Sequence, residues 1–169
     1  MKTVKLKLRL KALLIDYLFI MAYLLVLAMF ISSIYWFFFD GIPVFTENQS
    51  QWVAFLTTIL PVVLYFTIRE AKAPYATFGK AKTGLEIKYS VSPLRSSFIR
   101  NGLKFLPWHL GHYSAIRGMY TNQFLSKGVF IPYVLTISFP VIYILMVGTR
   151  KDHRHLPDIL ARTYIILSK

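Results

Sequence analysis

The residue that most clearly suggests chemistry is a carboxylate inside a long apolar stretch, Asp16. It is the only charged residue within residues 12–39. An ionisable group in a membrane span costs roughly 2.5–3.5 kcal/mol on insertion scales, so a paired cation, a wet cavity or a function must offset it. A carboxylate there can alternate between a proton and a cation, as membrane carriers require. The alternative is a buried ion pair that fixes helix packing, and the sequence favours neither.

Four membrane segments are expected, and Asp16 lies in the first of them. A bilayer core needs about 20 apolar residues in a helix, and the hydrophobic fraction of 56% is high for a soluble domain. The third segment is amphipathic and contains Pro107 and Gly111, so a short span, a re-entrant segment and an interfacial helix all fit it. We predict an all-α integral membrane protein, a small helical bundle forming one domain over 1–169. Its segments are expected at about 10–38, 52–68, 98–116 and 128–148.

Two local features are expected within this frame. Pro61 should kink the second segment or leave a carbonyl free for a partner, because proline has no N–H to donate. Residues 84–89 alternate in hydrophobicity and are predicted to form a minor β-hairpin with residues 163–167.

The distribution of basic residues predicts the topology. The loop 40–51 has no lysine or arginine, whereas residues 69–104 and both ends of the chain are strongly basic. Lysine and arginine concentrate on the cytoplasmic side, so both termini are expected in the cytoplasm, beneath a cell membrane that the chain crosses several times.

The net charge of +13 would suggest nucleic acid as the partner of a soluble protein. Beside apolar segments, the bilayer with its anionic lipid headgroups explains the charge better, and no nucleic acid is expected to bind. The residues expected to contact headgroups or a partner protein are Lys80, Lys82, Arg95 and Lys104.

Three separated motifs resemble the RDD family of bacterial membrane proteins, named for one arginine and two aspartates. The first, RLKALLID over 9–16, is similar to the family's opening arginine and first-helix aspartate. The second, TFGKAKTGLEI over 77–87, is similar to the signature T-x-G-K-x-x-x-G-L-x-V and is followed by Arg100 and Asn101. The third, LPDILARTYII over 156–166, is similar to the family's terminal L-H-D-x-L-A-x-T-x-V.

The resemblance covers nearly the whole chain and implies a membrane protein. It implies transport and, for some members, sodium(lithium)/proton antiport. Pro157 stands where the family often has a histidine, so no role of that histidine is carried over to this chain.

Arginines are the expected partners of the aspartates. Arg9 and Asp16 share a helix face, but a separation of seven residues places their backbones roughly 10 Å apart. Arg100, from another segment, is therefore the first candidate partner of Asp16. Asp158 follows a proline and is expected either to cap a short carboxy-terminal helix or to join Arg9 or Arg100 in a polar cluster.

Several classes of function are not expected. The chain lacks cysteine and the common hydrolase motifs, so we expect neither an enzyme nor a cofactor. His109 and His112 have no carboxylate nearby in sequence, and no metal site is expected. The first hypothesis is a transporter-like protein that moves small cations or protons, with Asp16 as the carrier site and Arg9 and Arg100 tuning it. The alternative is a non-transporting accessory subunit that binds a membrane partner or anionic lipid, and a homo-oligomer fits either hypothesis.

Overall fold

The computed structural model describes residues 4–168. Most of them lie in helices, and two short strands form the only sheet of this part of the chain. The helices are α1 Leu6–Phe39, α2 Glu47–Ala54, α3 Leu60–Ala71, α4 Phe78–Lys82, α5 Pro93–Thr121, α6 Lys127–Thr149 and α7 Leu156–Leu160, and a π-helical turn, Phe55–Ile59, joins α2 to α3. The strands are β1 Leu85–Tyr89 and β2 Thr163–Leu167.

Four long helical segments run up and down: α1, the continuous α2–α3 segment, α5 and α6. Near one end of the bundle, the hydroxyl of Tyr143 in α6 donates to the carbonyl of Leu103 in α5. Further along, Ser114 of α5 donates to the carbonyl of Val129 in α6. The helix α5 therefore lies along the full length of α6, and it also packs against α3.

Three helical segments are long and apolar enough to cross a membrane, namely Leu6–Phe39, Glu47–Ala71 and Lys127–Thr149. Their outward faces are apolar, and in α1 only Ala12 and Asp16 are buried. Surfaces of this kind require an apolar solvent, because exposing them to water would be strongly unfavourable. The prediction of a mainly helical membrane protein is confirmed at this level.

The third predicted segment differs from its expectation. It is not short or interrupted, because α5 is one continuous helix of 29 residues, roughly 44 Å long, with Pro107 inside it. The helix is less apolar than its neighbours, and it buries its polar residues against α3, α6 and α7 instead of exposing them.

Proline affects the second segment as expected. Pro61 has no N–H to donate to the carbonyl of Thr57, four residues earlier. The hydroxyl of Tyr23 in α1 donates to that carbonyl instead. The proline thus allows a hydrogen bond between two membrane segments, and the accepting carbonyl lies within the π-helical turn.

The two strands form a small sheet at one end of the bundle, near both ends of the described chain. They are antiparallel, with Leu85 opposite Leu167 and Tyr89 opposite Thr163. The predicted pairing of residues 84–89 with residues 163–167 is confirmed. Because α5 and α6 separate the two strands in sequence, it is a long-range pair. Val4 packs with Leu85, so the beginning and the end of the described chain meet at this end of the bundle. We call it the charged end, and the opposite end, which carries Trp36 and the Phe37–Phe39 run, the aromatic end.

Candidate functional site

The carboxylate of Asp16 binds α4. One oxygen accepts the hydroxyl of Thr77 at 2.7 Å, and the other accepts the backbone N–H of Gly79, also at 2.7 Å. The residue is only 3% exposed. The predicted pairing of Asp16 with Arg100 is wrong, because two neutral donors occupy its oxygens and Arg100 binds other carboxylates.

Gly79 is required for this contact. A Cβ atom built on it would lie 2.2 Å from the carbonyl oxygen of Ala12 and 2.8 Å from the carboxylate of Asp16. Only a glycine lets α4 approach the backbone of α1 so closely. The T-x-G-K signature is thereby explained: Thr77 and Gly79 donate to Asp16, and Lys80 turns to another acid.

That acid is Glu70, which is fully buried. Its carboxylate accepts from Arg100 at 2.6 and 2.7 Å, from Lys80 at 2.7 Å and from the side chain of Asn101 at 2.8 Å. The hydroxyl of Tyr89 in β1 donates to its backbone carbonyl. A buried carboxylate with this many donors stays ionised, and it joins α3, α4, α5 and β1.

Arg100 links this centre to the carboxy-terminal part of the chain. Its Nε donates to Asp158 at 2.5 Å. The predicted membership of Asp158 in a polar cluster is thus what the structure shows, whereas the cap of α7 is His155, whose Nδ1 accepts the N–H of Asp158. Burial by itself would raise the pKa of Asp158, but Arg100 and His155 beside it hold that pKa below its ordinary value.

His155 is neutral in this environment. Burial lowers the pKa of the imidazole to about 4, and the opposing field of Asp158 does not restore it. A neutral imidazole can accept the hydrogen bond that caps α7, whereas a protonated one cannot.

Arg9 stands at the edge of the cluster. Its Nη1 donates to the carbonyl of His153, which attaches the start of α1 to the segment after α6. Its Nε is buried and has no hydrogen-bond partner among residues 4–168.

The four lysine and arginine residues expected at lipid headgroups divide into two pairs. Lys82 and Arg95 are exposed. Lys80 is 4% exposed and bound to Glu70, so its expected headgroup contact does not fit its position. Lys104 is half-buried, with its ammonium 4.8 Å from the ring centre of Phe66.

Two cavities lie along α1. The first, which we call the inner cavity, measures about 250 Å³ and reaches Asp16, Lys80, Arg100 and Lys104 at the charged end. The second, the outer cavity, measures about 590 Å³ and is lined by α1 from Leu24 onward and by the π-helical turn. Between them, Phe19 stacks on Tyr65 with ring centres 4.8 Å apart, and Tyr23 binds Thr57.

Sequence reasoning missed the central acid. Glu70 is one of only two acids within the basic segment 69–104, and an acid at the end of an apolar span was the available signal. In the sequence, Asn101, Thr77 and Gly79 stand out only as members of the family motifs. Nothing local in the sequence marked His155 as a cap.

The fold and this cluster define a small helical membrane protein with a buried acid–base network at one end of its bundle. The model of the RDD family matches residues 3–162, so the chain belongs to this family, as its motifs indicated. RDD proteins are membrane proteins. Comparison with curated proteins and with solved structures gives no match.

Proposed function

We propose that this RDD protein is a non-enzymatic, transporter-like protein of the cell membrane that moves protons in exchange for a small cation. Asp16 is its carrier site. The observation that carries the proposal is the position of this carboxylate: buried in a membrane helix, at the wall of a cavity, and holding α4 through both oxygens. Both termini lie in the cytoplasm, so the charged end faces inward.

Proton binding at Asp16 would change the contact between α1 and α4. A protonated carboxyl oxygen donates and no longer accepts at that position, so one of the bonds from Thr77 and Gly79 is lost or rearranged. Asp16 and its neighbours form the main attachment of α1 at this end, since α1 packs chiefly against α4. Protonation therefore loosens α1, which is the conformational step that a carrier requires.

The two cavities support the same proposal. They lie on opposite sides of the contacts made by Phe19 and Tyr23, one toward each end of α1. A carrier needs a closed barrier between two accessible spaces, and we propose that these two residues form part of it. The adjacent π-helical turn is a type of helix irregularity that is frequent at functional sites.

A second candidate is a non-transporting accessory subunit. The observation that favours it is the set of exposed basic side chains at the charged end, Lys82, Lys88 and Arg95. Their positive charges suit an acidic partner protein or anionic lipid headgroups.

Flux measurements separate the two candidates. The purified protein would be placed in proteoliposomes containing a pH dye, and sodium or lithium would be added outside. The exchange proposal predicts a cation-dependent change of internal pH. A well-folded protein that gives no pH change with either ion would contradict exchange. In that case, loss of complex formation on charge reversal of Lys82 and Arg95 would support the accessory candidate.

A further inference from the structure

The inner cavity has the form of a binding site with an apolar wall and a cationic end. Its volume of about 250 Å³ far exceeds the roughly 15 Å³ that one water needs. Leu10 and Leu13 of α1 form one wall, and Ile144 and Val147 of α6 form the other. Since α1 packs chiefly on α4 and not on α6, the cavity opens between two membrane helices.

The cationic end carries more positive charge than its acids balance. Lys80 and Arg100 are paired with Glu70 and Asp158. The other two cations that line the cavity, Arg9 and Lys104, form no ion pair within residues 4–168. Counting also Asp16, four cations face three carboxylates, which leaves one positive charge.

The two unpaired cations are held in place without an anion. The ammonium of Lys104 lies over the rings of Phe66 and Phe105, 4.8 and 5.1 Å from their centres. Arg9 uses one nitrogen on a backbone carbonyl, and its buried Nε has no hydrogen-bond partner in the part of the chain that the structure describes. An ammonium and a guanidinium that line one cavity are the groups that bind phosphate oxygens in proteins.

We propose that the inner cavity binds one anionic phospholipid from the surrounding leaflet, with its phosphate at Lys104 and Arg9 and its acyl chains along the walls formed by α1 and α6. The cationic end selects the charge of the headgroup, and the apolar walls select a ligand that brings hydrocarbon with it. The bound phosphate balances the excess positive charge next to Asp16. The site is independent of the proposed transport, because it requires neither a gradient nor proton exchange.

Binding can be measured by native mass spectrometry of the delipidated full chain, titrated with phosphatidylglycerol and with phosphatidylcholine of the same acyl chains. Near an anionic group each lysine or arginine contributes about fivefold in affinity. We expect the wild type to prefer phosphatidylglycerol by about tenfold or more. Lys104→Met should reduce that preference about fivefold, whereas the control Lys127→Met, at an exposed lysine of the aromatic end, should keep it. Equal binding of both lipids by the wild type, or an unchanged preference in Lys104→Met, would overturn the proposal.

A second variant tests the apolar wall of the inner cavity, and its result does not depend on whether Lys104→Met folds. Ile144→Trp keeps every charge but fills the opening, so binding of phosphatidylglycerol should fall to the level of phosphatidylcholine. Full binding in this variant would place the lipid elsewhere. Displacement of the lipid by millimolar inorganic phosphate would show that the site takes a free anion, which also contradicts the proposal. Lipid binding without proton flux would support this site and contradict the proposed transport.

Discussion

The charged end and the aromatic end of this bundle are stabilised in different ways. At the charged end, Glu70, Lys80, Arg100 and Asp158 are all buried, and their bonds join α3, α4, α5 and α7. At the aromatic end, large apolar side chains are exposed to the bilayer region, and Trp36 is 74% exposed.

The difference shows where a change of protonation can act. At the aromatic end, removing a charge from the ion pair of Arg117 with Glu47 should change little, because both side chains are partly exposed. At the charged end, Glu70, Lys80, Arg100 and Asp158 form a buried network, where an unpaired charge is expensive. The proton-dependent step that we assign to Asp16 therefore lies beside the most charge-sensitive part of the molecule.

The largest effect is expected from Glu70→Gln. The change leaves the buried cation of Lys80 without a compensating charge and leaves Arg100 with Asp158 alone, and breaking a buried pair in this way costs about 3–5 kcal/mol. The melting temperature in detergent should drop steeply, with loss of the monodisperse species on size exclusion. The control is Glu86→Gln, at an acid of β1 that is not fully buried, which should melt like the wild type. Equal melting of both variants would contradict the charged end described above.

Lowering the pH should destabilise the charged end through protonation of His155. Its pKa in the folded state is about 4, below the ordinary 6.5, so the unfolded chain binds the proton first as pH falls. The contribution of the neutral His155 to the free energy of unfolding is therefore complete above pH 6.5. It is lost as the pH falls from 6.5 to about 4, and the loss is at most about 3 kcal/mol.

The variant His155→Asn isolates this effect. Asparagine can cap α7 but does not titrate, so its melting temperature should vary less with pH over that window. Melting curves of both proteins between pH 7.5 and 4.5 provide the measurement. Parallel pH dependence in the two proteins would show that His155 is not the sensitive group.

An intermediate effect is expected from Gly79→Ala. The added methyl group would overlap the carbonyl of Ala12, and relieving such overpacking costs typically 1–3 kcal/mol. Thermal melting should show this loss. Gly102→Ala is the matched control, because that helical glycine has open space around its Cβ position and alanine there should stabilise by about 0.5–1 kcal/mol. A stable Gly79→Ala protein would mean that α1 and α4 are not in close contact.

The smallest effect is expected at the aromatic end, from Arg117→Gln. Arg117 and Glu47 form an ion pair at 3.2 Å, but their side chains are 43% and 29% exposed. Such pairs contribute about 0–1 kcal/mol, so the melting temperature should change little. In high salt the change should be smaller still, because salt screens the pair. A loss comparable to that of Glu70→Gln would remove the distinction between the two ends.

The sequence predicted the long helices well and the cluster only in part. Apolar length identifies a span such as that of α1 because the bilayer dictates it. Spacing along one helix excluded a direct bond between Arg9 and Asp16. It could not show that Arg100 would bind Glu70 and Asp158, since those contacts depend on how α3, α5 and α7 pack. The backbone N–H of Gly79 is a donor that no side-chain pattern reveals.

The most direct test of the account is the proton flux of Asp16→Asn compared with wild type in matched proteoliposomes. Asparagine preserves the size of the side chain but binds no proton at neutral pH. Asp152→Asn is the control, because this acid at the charged end lies outside the long helices. We predict cation-dependent flux in the wild type and in Asp152→Asn, and none in Asp16→Asn that folds normally. Undiminished flux in Asp16→Asn would contradict the assignment of Asp16 as the carrier site.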